Sequence, residues 1–222
     1  RQYINTWASD LVFQKIAEEQ LSKAEKDVTK ELEDYRKSLL KYRYEQLYVN
    51  ERLDTAVSED MIEEYYVSHK DRFILQRPVV RARFLLISSD SPSLGKIRKK
   101  MASDEVADLV EADSLAYSSA LKFMTWDNRW IDISVLAREF GTDYSSVVGG
   151  MNGKWVEKTD TTGLVSLAYV AEIVRSGQLA PVEYCTPMIK DMIISARKQS
   201  LITTLEQDLL KDARESGQLV IF

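Results

Sequence analysis

Apolar residues recur at helical spacing along the first quarter of the chain. The first such set predicts an amphipathic helix from residue 3 to about residue 22; it consists of Ile4, Trp7, Ala8, Leu11, Val12 and Ile16. A second set alternates steps of four and three, which is typical of a helix packed against other helices; it consists of Val28, Leu32, Tyr35, Leu39 and Tyr42. No glycine or proline interrupts this second pattern, so we expect one long helix from near Ser22 to Leu53.

The segment 57–87 changes from a helical pattern to a strand pattern. Ser58 is a good N-cap for a helix that should end near His69. Pro78 suits the entrance of a strand, because proline cannot donate a ladder hydrogen bond. Residues 79–87 are β-branched and apolar, with Arg81 and Arg83 on the alternate face. A mostly helical region therefore gives way here to a region that contains sheet.

The middle of the chain reads as a small mixed region. The pattern predicts helices, strands and turns in this order: one broken or two short helices at 93–101 and 104–117, a strand at 120–125, a turn at 126–130, a helix at 134–140, a flexible connection at 149–153, and strands at 154–158 and 164–174. Thr186 and Pro187 have the pattern of an N-cap followed by a first-turn proline, and a long helix or helix pair should follow and end at Gly217. Residues 219–222 then predict a terminal strand or a packed tail.

The apolar stripes of the terminal helices need a partner, and each can supply the other's. We therefore expect an α+β fold that is mostly helical, in which the N- and C-terminal helices form one helical domain. The predicted helical domain comprises residues 1–75 plus 180–222, and the predicted α/β insert comprises residues 76–179.

Composition narrows the classes of function. The 222 residues carry a formal net charge of −5 and a pI near 5.2, which disfavours a nucleic-acid-binding protein. The basic run at 96–100 is then best interpreted as a solvated helix face. No apolar run approaches the roughly 18 residues of a membrane span. Because the sequence begins at Arg1, we expect a processed or trimmed chain, with any signal peptide or lipid anchor outside it.

Groups for catalysis or metal binding are scarce. The chain has one cysteine, Cys185, so it can form no internal disulfide. It also has one histidine, His69, and this pair of residues disfavours a zinc site or a hydrolytic triad. We interpret His69 as a surface or capping residue at a helix end. The sequence contains no phosphate-binding glycine motif that follows a strand, and we predict no cofactor and no metal. This inventory favours a binding protein over an enzyme.

Tyrosines are unusually dense in the second predicted helix. They are Tyr35, Tyr42, Tyr44 and Tyr48. Packing within the core is the simplest interpretation. The alternative is that some of them, together with Trp7, line a groove for unfolded polypeptide, because amphipathic rings tolerate both water and apolar partners.

Three motifs together resemble a known family. The helix end at 62–66 (IEEYY), the segment 69–73 (HKDRF) and the strand 79–87 (VVRARFLLI) are similar to the joint between the helical chaperone domain and the parvulin domain of SurA- and PrsA-type periplasmic foldases. The C-terminal segments 181–184 (PVEY), 189–193 (IKDMI) and 205–209 (LEQDL) resemble the long helix that closes these proteins. The order of segments is most similar to the SurA-like proteins of Bacteroidota, which are often secreted or lipid-anchored.

The chain departs from that family at the parvulin site. Active parvulins carry a histidine in the first strand, and Phe84 stands at the matching position here. The strand at 164–174 lacks the second parvulin histidine. The resemblance therefore implies a degenerate parvulin-like insert with little or no prolyl isomerase activity and no catalytic residue.

The resemblance implies a periplasmic holdase for unfolded secreted or outer-membrane proteins that takes part in outer-membrane biogenesis, with a lipoprotein as one form that the family takes. Client contacts would come from Trp7 and the four tyrosines. Two alternatives remain open. One is an active peptidyl-prolyl cis-trans isomerase with an atypical site, and the other is an adaptor protein in a secreted complex. A proline-peptide assay separates the first from a holdase, and the number of partners in a pull-down separates the second.

Overall fold

The computed structural model describes residues 2–219, and its contacts divide the chain into two units. The helical unit comprises the chain up to Thr55 and from Ile194 onward. The sheet unit comprises Ala56–Ile193. The predicted fold class is confirmed: the chain is mostly helical, its N- and C-terminal helices share one unit, and a small α/β unit lies between them in sequence.

The helical unit contains α1 (Gln2–Gln20), α2 (Lys23–Lys26), α3 (Thr29–Arg52) and the second part of α9 (Val182–Glu215). The prediction of one unbroken helix from Ser22 to Leu53 is wrong. Ser22 and Glu25 form a reciprocal capping box that starts α2 as a separate turn. The Asp27 carboxylate then accepts the backbone N–H of Thr29 at 3.2 Å, which ends α2 and positions the start of α3.

Few side chains are buried in the helical unit. The buried ones are Val49 of α3 and Leu205 of α9. The Lys41 ammonium donates to the Glu206 carboxylate at 2.7 Å, which joins the same two helices at their surface. Helix α1 has no buried residue among those described. The Lys41–Glu206 ion pair therefore links α3 to α9, and α1 contributes little to the interior of the described part of this unit.

The sheet unit contains five strands, six helices of four to fourteen residues and the first part of α9. In chain order they are α4 (Glu59–Ser68), a 3₁₀ helix (Lys70–Phe73), β1 (Val79–Ser88), α5 (Leu94–Met101), α6 (Val106–Ser119), β2 (Lys122–Thr125), β3 (Ile131–Asp132), α7 (Ile133–Glu139), α8 (Tyr144–Gly149), β4 (Trp155–Thr159) and β5 (Leu164–Val174).

The sheet is antiparallel throughout, in the order β2-β1-β5-β4, and β3 pairs with the first residues of β1. In this register Phe84 of β1 lies opposite Ala168 of β5 and Met124 of β2. A β-bulge lies between Arg81 and Ala82, where the pairing of β1 with β5 shifts by one residue. Because β1 is central, its side chains face helices on both sides of the sheet.

Each face of the sheet is covered by a pair of helices. On one face Phe84 packs in a cluster with Leu136 and Phe140 of the α7 region and Val147 of α8. On the other face Leu85 and Ile87 pack with residues of α5 and α6, which are Ile97, Met101, Ala112 and Ala116. Alternate residues of β1 therefore pack into two cores, one on each face of the sheet, which explains why almost every position of this strand is buried.

A third apolar cluster lies at the start of β1, and it joins the flanking helices to the sheet unit. Ile62 of α4, Phe73 of the 3₁₀ helix and Ile189 of α9 pack there with Val79. The contact-defined unit therefore begins at Ala56 and ends at Ile193, whereas the sequence pattern alone places the insert at 76–179. The flanking helices bury their apolar faces against the start of the strand rather than against the other helices.

Two local predictions in this unit are corrected. Helix α9 begins at Val182 rather than at Pro187, because the N–H groups of Tyr184 and Cys185 already donate to the Pro181 carbonyl. The segment before the predicted connection at 149–153 contains α8, a helix that the sequence pattern did not predict. The predicted tail of residues 219–222 lies almost entirely outside the described residues.

Candidate functional site

The four tyrosines proposed as client contacts lie on different sides of α3. Tyr35 and Tyr42 are seven residues apart, so at about 100° per residue they share one face. Tyr44 follows Tyr42 by two residues and points to nearly the opposite side. Tyr48 is half-buried, with the Arg52 guanidinium carbon 4.2 Å from its ring centre. The structure therefore does not bring the four rings into one groove.

Three of these tyrosines are nevertheless well exposed. Tyr35 and Tyr42 are 63% and 58% exposed, and Tyr44 is 50% exposed. Tyr35 and Tyr42 continue the face that buries Val49 further along α3, so they extend the packed seam into solvent. The interpretation of the tyrosines as core residues does not hold for these three rings, because half or more of each remains open to water.

Helix α1 presents a larger apolar surface than α3 does. Trp7, the fifth predicted contact, is 59% exposed. Seven large apolar side chains of this helix are exposed; they are Tyr3, Ile4, Trp7, Leu11, Val12, Phe13 and Ile16. Single exposed apolar residues are normal on proteins, but a helix whose whole apolar set is exposed is typical of a surface that binds a partner.

Phe84 occupies the core of the sheet unit. Its side chain is 1% exposed, and its ring meets Phe140 edge to face with centroids 5.2 Å apart. At the position where the family resemblance implies a reactive imidazole, this chain therefore has a buried apolar ring.

The imidazole of His69 has a local structural role. The residue is the C-cap of α4, as predicted, and its ring stacks on Tyr65 with centroids 4.2 Å apart. Its Nδ1 lies 2.9 Å from the Tyr65 carbonyl oxygen and 3.0 Å from the Ser68 hydroxyl. These contacts fix the histidine ring at the end of α4.

The thiol of Cys185 is buried in the cluster that includes Ile189 and Val79. Burial raises the pKa of Cys185 to about 11. Since the thiolate is the nucleophilic form, this cysteine is almost entirely unreactive at neutral pH in the folded protein.

A buried ion-pair cluster was not predicted from the sequence. Arg83 is only 5% exposed, although it lies on the face of β1 opposite Phe84. Its Nε donates to both carboxylate oxygens of Asp127, at 3.0 and 2.8 Å, and its Nη1 donates to Asp113 of α6 at 3.3 Å. Burial raises the pKa of Asp113, with Asp127 adding to the rise and Arg83 opposing it. The cluster ties α6 and the turn after β2 to the central strand.

The cluster borders a cavity of about 350 Å³ lined by charged groups of both signs. Arg81, beside Arg83, pairs with Glu172 at 3.1 Å, and its guanidinium carbon lies 4.8 Å from the ring centre of Trp130. The charged groups facing the cavity are therefore largely paired with each other. We interpret this region as a structural cluster, because its positive and negative charges are balanced and both arginines are held in ion pairs.

The described part of the chain shows no further site for a bound ion. Among residues 2–219, no group of three or more His, Cys, Asp or Glu side chains is arranged to hold a metal. Within the same residues, no helix combines the length and the apolar character that crossing a membrane requires.

Comparisons with solved structures show a structural likeness. No protein-family model matches the chain, and no curated protein sequence matches it. A solved structure from work on two SurA-like chaperones of Campylobacter jejuni, the virulence factor PEB4 and the periplasmic protein Cj1289, is similar at 17% identity and a TM-score of 0.39. The alignment covers 99% of this chain and 84% of that one. At this identity and TM-score, the likeness carries no conclusion about function.

Proposed function

We propose that this protein is a holdase chaperone that binds unfolded polypeptide segments on the exposed apolar faces of its helical unit. The observation that carries the proposal is the exposure of α1. All seven of its large apolar side chains are open to solvent, and none of its described residues is buried. Such a surface is unfavourable in water unless a partner covers it at least part of the time.

Transient partners fit this surface better than a rigid fixed one. The exposed rings lie on several sides of α1 and α3 rather than in one shaped pocket, so different segments can bind in different places. A disordered client loses conformational entropy when it binds, which keeps the affinity low and the exchange fast. Weak binding of this kind prevents aggregation without trapping the client.

The compartment and the clients follow from the sequence resemblance to SurA- and PrsA-type foldases. We propose a periplasmic location, with unfolded secreted or outer-membrane proteins as clients. Attachment through a lipid at an upstream segment is part of the same proposal. The sheet unit is then a degenerate parvulin-like domain, and its buried Phe84 supports the absence of isomerase activity.

The test dilutes an unfolded outer-membrane protein from urea and follows its aggregation by light scattering. An excess of this protein should suppress the scattering. The Trp7→Ala/Leu11→Ala variant should suppress it less, because two exposed apolar groups of α1 are lost. The control is Val106→Ala/Val110→Ala, which truncates two apolar residues of α6 in the sheet unit that are even more exposed than Trp7 and Leu11. Unchanged scattering in the presence of the wild-type protein would overturn the proposal.

A protease-coupled proline-peptide assay tests the part concerning isomerase activity. We expect a rate of cis-trans conversion no higher than the uncatalysed background for the wild-type protein. A rate well above background would show that the chain has an active site that works without a histidine at position 84. The Phe84→His variant should remain inactive as well, because the second histidine of the parvulin pair is missing from β5.

A further inference from the structure

A second face of α3 combines apolar and basic side chains. We call it the basic stripe, and it consists of Leu40, Tyr44 and Leu47 with Arg36, Lys37 and Arg43. Its three apolar members are 50–54% exposed. At about 100° per residue, Leu40 and Leu47 are nearly in line and Tyr44 lies beside them, so the three form one strip on the side away from Val49.

The basic residues flank this strip on both sides. Arg36 and Arg43 are seven residues apart and lie along one edge, while Lys37 and Tyr44 have the same spacing and lie along the other. Between Tyr35 and Tyr44 the chain has four basic residues and no acidic one, in a protein whose net charge is −5. Glu33 and Glu51 lie in line with Leu40 and Leu47 at the two ends of the stripe, so its positive region is the segment from Arg36 to Arg43.

These charges are only weakly neutralised within the protein. Lys41, the fourth basic residue, is directed to Glu206 of α9 and belongs to the packed side. Arg36 and Lys37 have i−3 carboxylate partners at 3.5 and 3.7 Å, but both pairs are open to solvent, where such pairs contribute little. Arg43 forms no ion pair with any residue among 2–219.

We propose that the basic stripe selects unfolded segments in which Asp or Glu residues adjoin aromatic or aliphatic ones. This inference rests on the proposed client-binding function and names the class of client. Arg36 and Arg43 are about 10 Å apart along the helix, which an extended chain spans with about three residues. A client with two carboxylates at about that spacing can pair with both arginines while its apolar side chains contact Leu40 and Tyr44.

Other negatively charged partners fit this face less well. A helix that lies on a lipid surface needs a broad apolar face, and the stripe is only one line of three apolar residues wide. The net charge of −5 also repels an anionic membrane or a nucleic acid as a whole. A short, flexible segment is the acidic partner that can reach the stripe without bringing a large like charge near the rest of the protein.

The experiment compares three fluorescein-labelled peptides of one apolar composition, in which the polar positions are all Glu, all Gln or all Lys. Fluorescence anisotropy should give the tightest binding for the Glu peptide. We expect it to bind about tenfold more tightly than the Lys peptide at low ionic strength, since several screened rim charges contribute together. The difference should shrink at about 0.5 M salt, where the Debye length is only about 4 Å.

Variants assign the preference to the stripe. Arg36→Gln/Lys37→Gln/Arg43→Gln should bind the Glu and Lys peptides with affinities within about twofold of each other. The matched control, Lys70→Gln/Lys99→Gln/Lys158→Gln, makes the same change in net charge at exposed residues of the sheet unit and should keep the full preference. Circular dichroism checks that α3 stays folded, and the single variant Arg43→Gln, at a residue without an ion pair, should show a smaller loss in the same direction.

The outcomes separate this proposal from the proposed function. Equal binding of all three peptides, or a preference for Glu that survives the stripe variant, overturns the selection of acidic segments and leaves the holdase intact. A stripe variant that loses binding to anionic vesicles but keeps its peptide preference also overturns it and points to lipid. Absence of peptide binding together with unchanged aggregation of an unfolded client overturns both.

Discussion

The Arg83 cluster allows a quantitative test of how the sheet unit is held together. The perturbations are Asp127→Ala and Arg83→Met, which remove opposite partners of the same ion pair. Removing Asp127 leaves a guanidinium that is only 6% exposed with Asp113 as its remaining partner. Removing Arg83 instead leaves two carboxylates that are 34% and 32% exposed. The two losses should therefore differ in size.

Burial sets the magnitude of each loss. Breaking a buried ion pair by removing one partner destabilises a protein by about 3–5 kcal/mol when a charge is left uncompensated. Asp113 still compensates part of the Arg83 charge, so we expect about 2–3 kcal/mol for Asp127→Ala. In Arg83→Met the two carboxylates can regain water and the methionine fills apolar space, so we expect about 1 kcal/mol.

Urea unfolding followed by tryptophan fluorescence measures both values. Trp126, Trp130 and Trp155 all lie in the sheet unit, so a Trp7→Phe background makes the signal specific for that unit. With a slope of about 2 kcal/mol per molar urea, Asp127→Ala should lower the midpoint by roughly 1 M or slightly more. The double variant should lose less stability than the sum of the single variants, because both remove the same interaction.

The contradicting result is that Arg83→Met destabilises the sheet unit as much as Asp127→Ala or more. That result would mean that the stem and hydrogen bonds of Arg83, rather than its uncompensated charge, dominate the energetics. Additive losses in the double variant would likewise show that Arg83 and Asp127 act independently.

Three further predictions use other parts of the structure. Disulfide-exchange labelling of Cys185 should be at least about 100-fold slower in the folded protein than in urea, because the thiol is buried and burial raises its pKa to about 11. Asp132→Ala should lower the unfolding free energy by about 1 kcal/mol at pH 7, since this carboxylate caps α7 through Ser134 and pairs with Arg77. Trp7→Ala should change the unfolding free energy by less than about 0.5 kcal/mol, because Trp7 is exposed.

The Asp132 prediction has a definite pH dependence. Burial raises the pKa of Asp132, but the hydrogen bonds from Ser134 and Arg77 outweigh it and leave the pKa below 3.8. The stabilisation is therefore present above pH 3.8 and is lost as the pH falls through the lowered pKa. The difference between wild type and Asp132→Ala should narrow in acid, and a difference that grows there would contradict the assignment. Rapid labelling of Cys185, or a large loss of stability in Trp7→Ala, would contradict the other two.

Elements with a strong periodic pattern could be predicted from the sequence. The strand at 79–87 and the helix capped by Ser58 appear as β1 and α4, with their ends within one residue. Local capping signals set the helix ends even where the helical pattern of apolar residues continues without a break. Ser22 and Glu25 have capping-box spacing, which starts α2 as a separate turn even though the surrounding residues all favour helix. Pro187 lies inside α9 because the helix already starts at Val182, with the Pro181 carbonyl accepting its first hydrogen bonds.

The exposure and burial of the candidate site residues could not be predicted from the sequence. The exposure of Tyr35, Tyr42 and Trp7 depends on which faces of α1 and α3 other helices cover, and the spacing of apolar residues does not show this. The burial of Arg83 depends on Asp113 and Asp127, which lie 30 and 44 residues further along the chain. Alternation within a strand predicts two faces, but only the tertiary fold decides whether the second face is also closed.

The close packing of Phe84 against Phe140 limits which side chains position 84 can accept. A histidine there would leave a void and an unsatisfied nitrogen between strand and helix, because its ring is smaller and polar. Only a simultaneous change of Phe140 would make room for a polar ring and give it a hydrogen-bond partner. Substitutions at positions 84 and 140 are therefore tolerated as a pair and not one at a time.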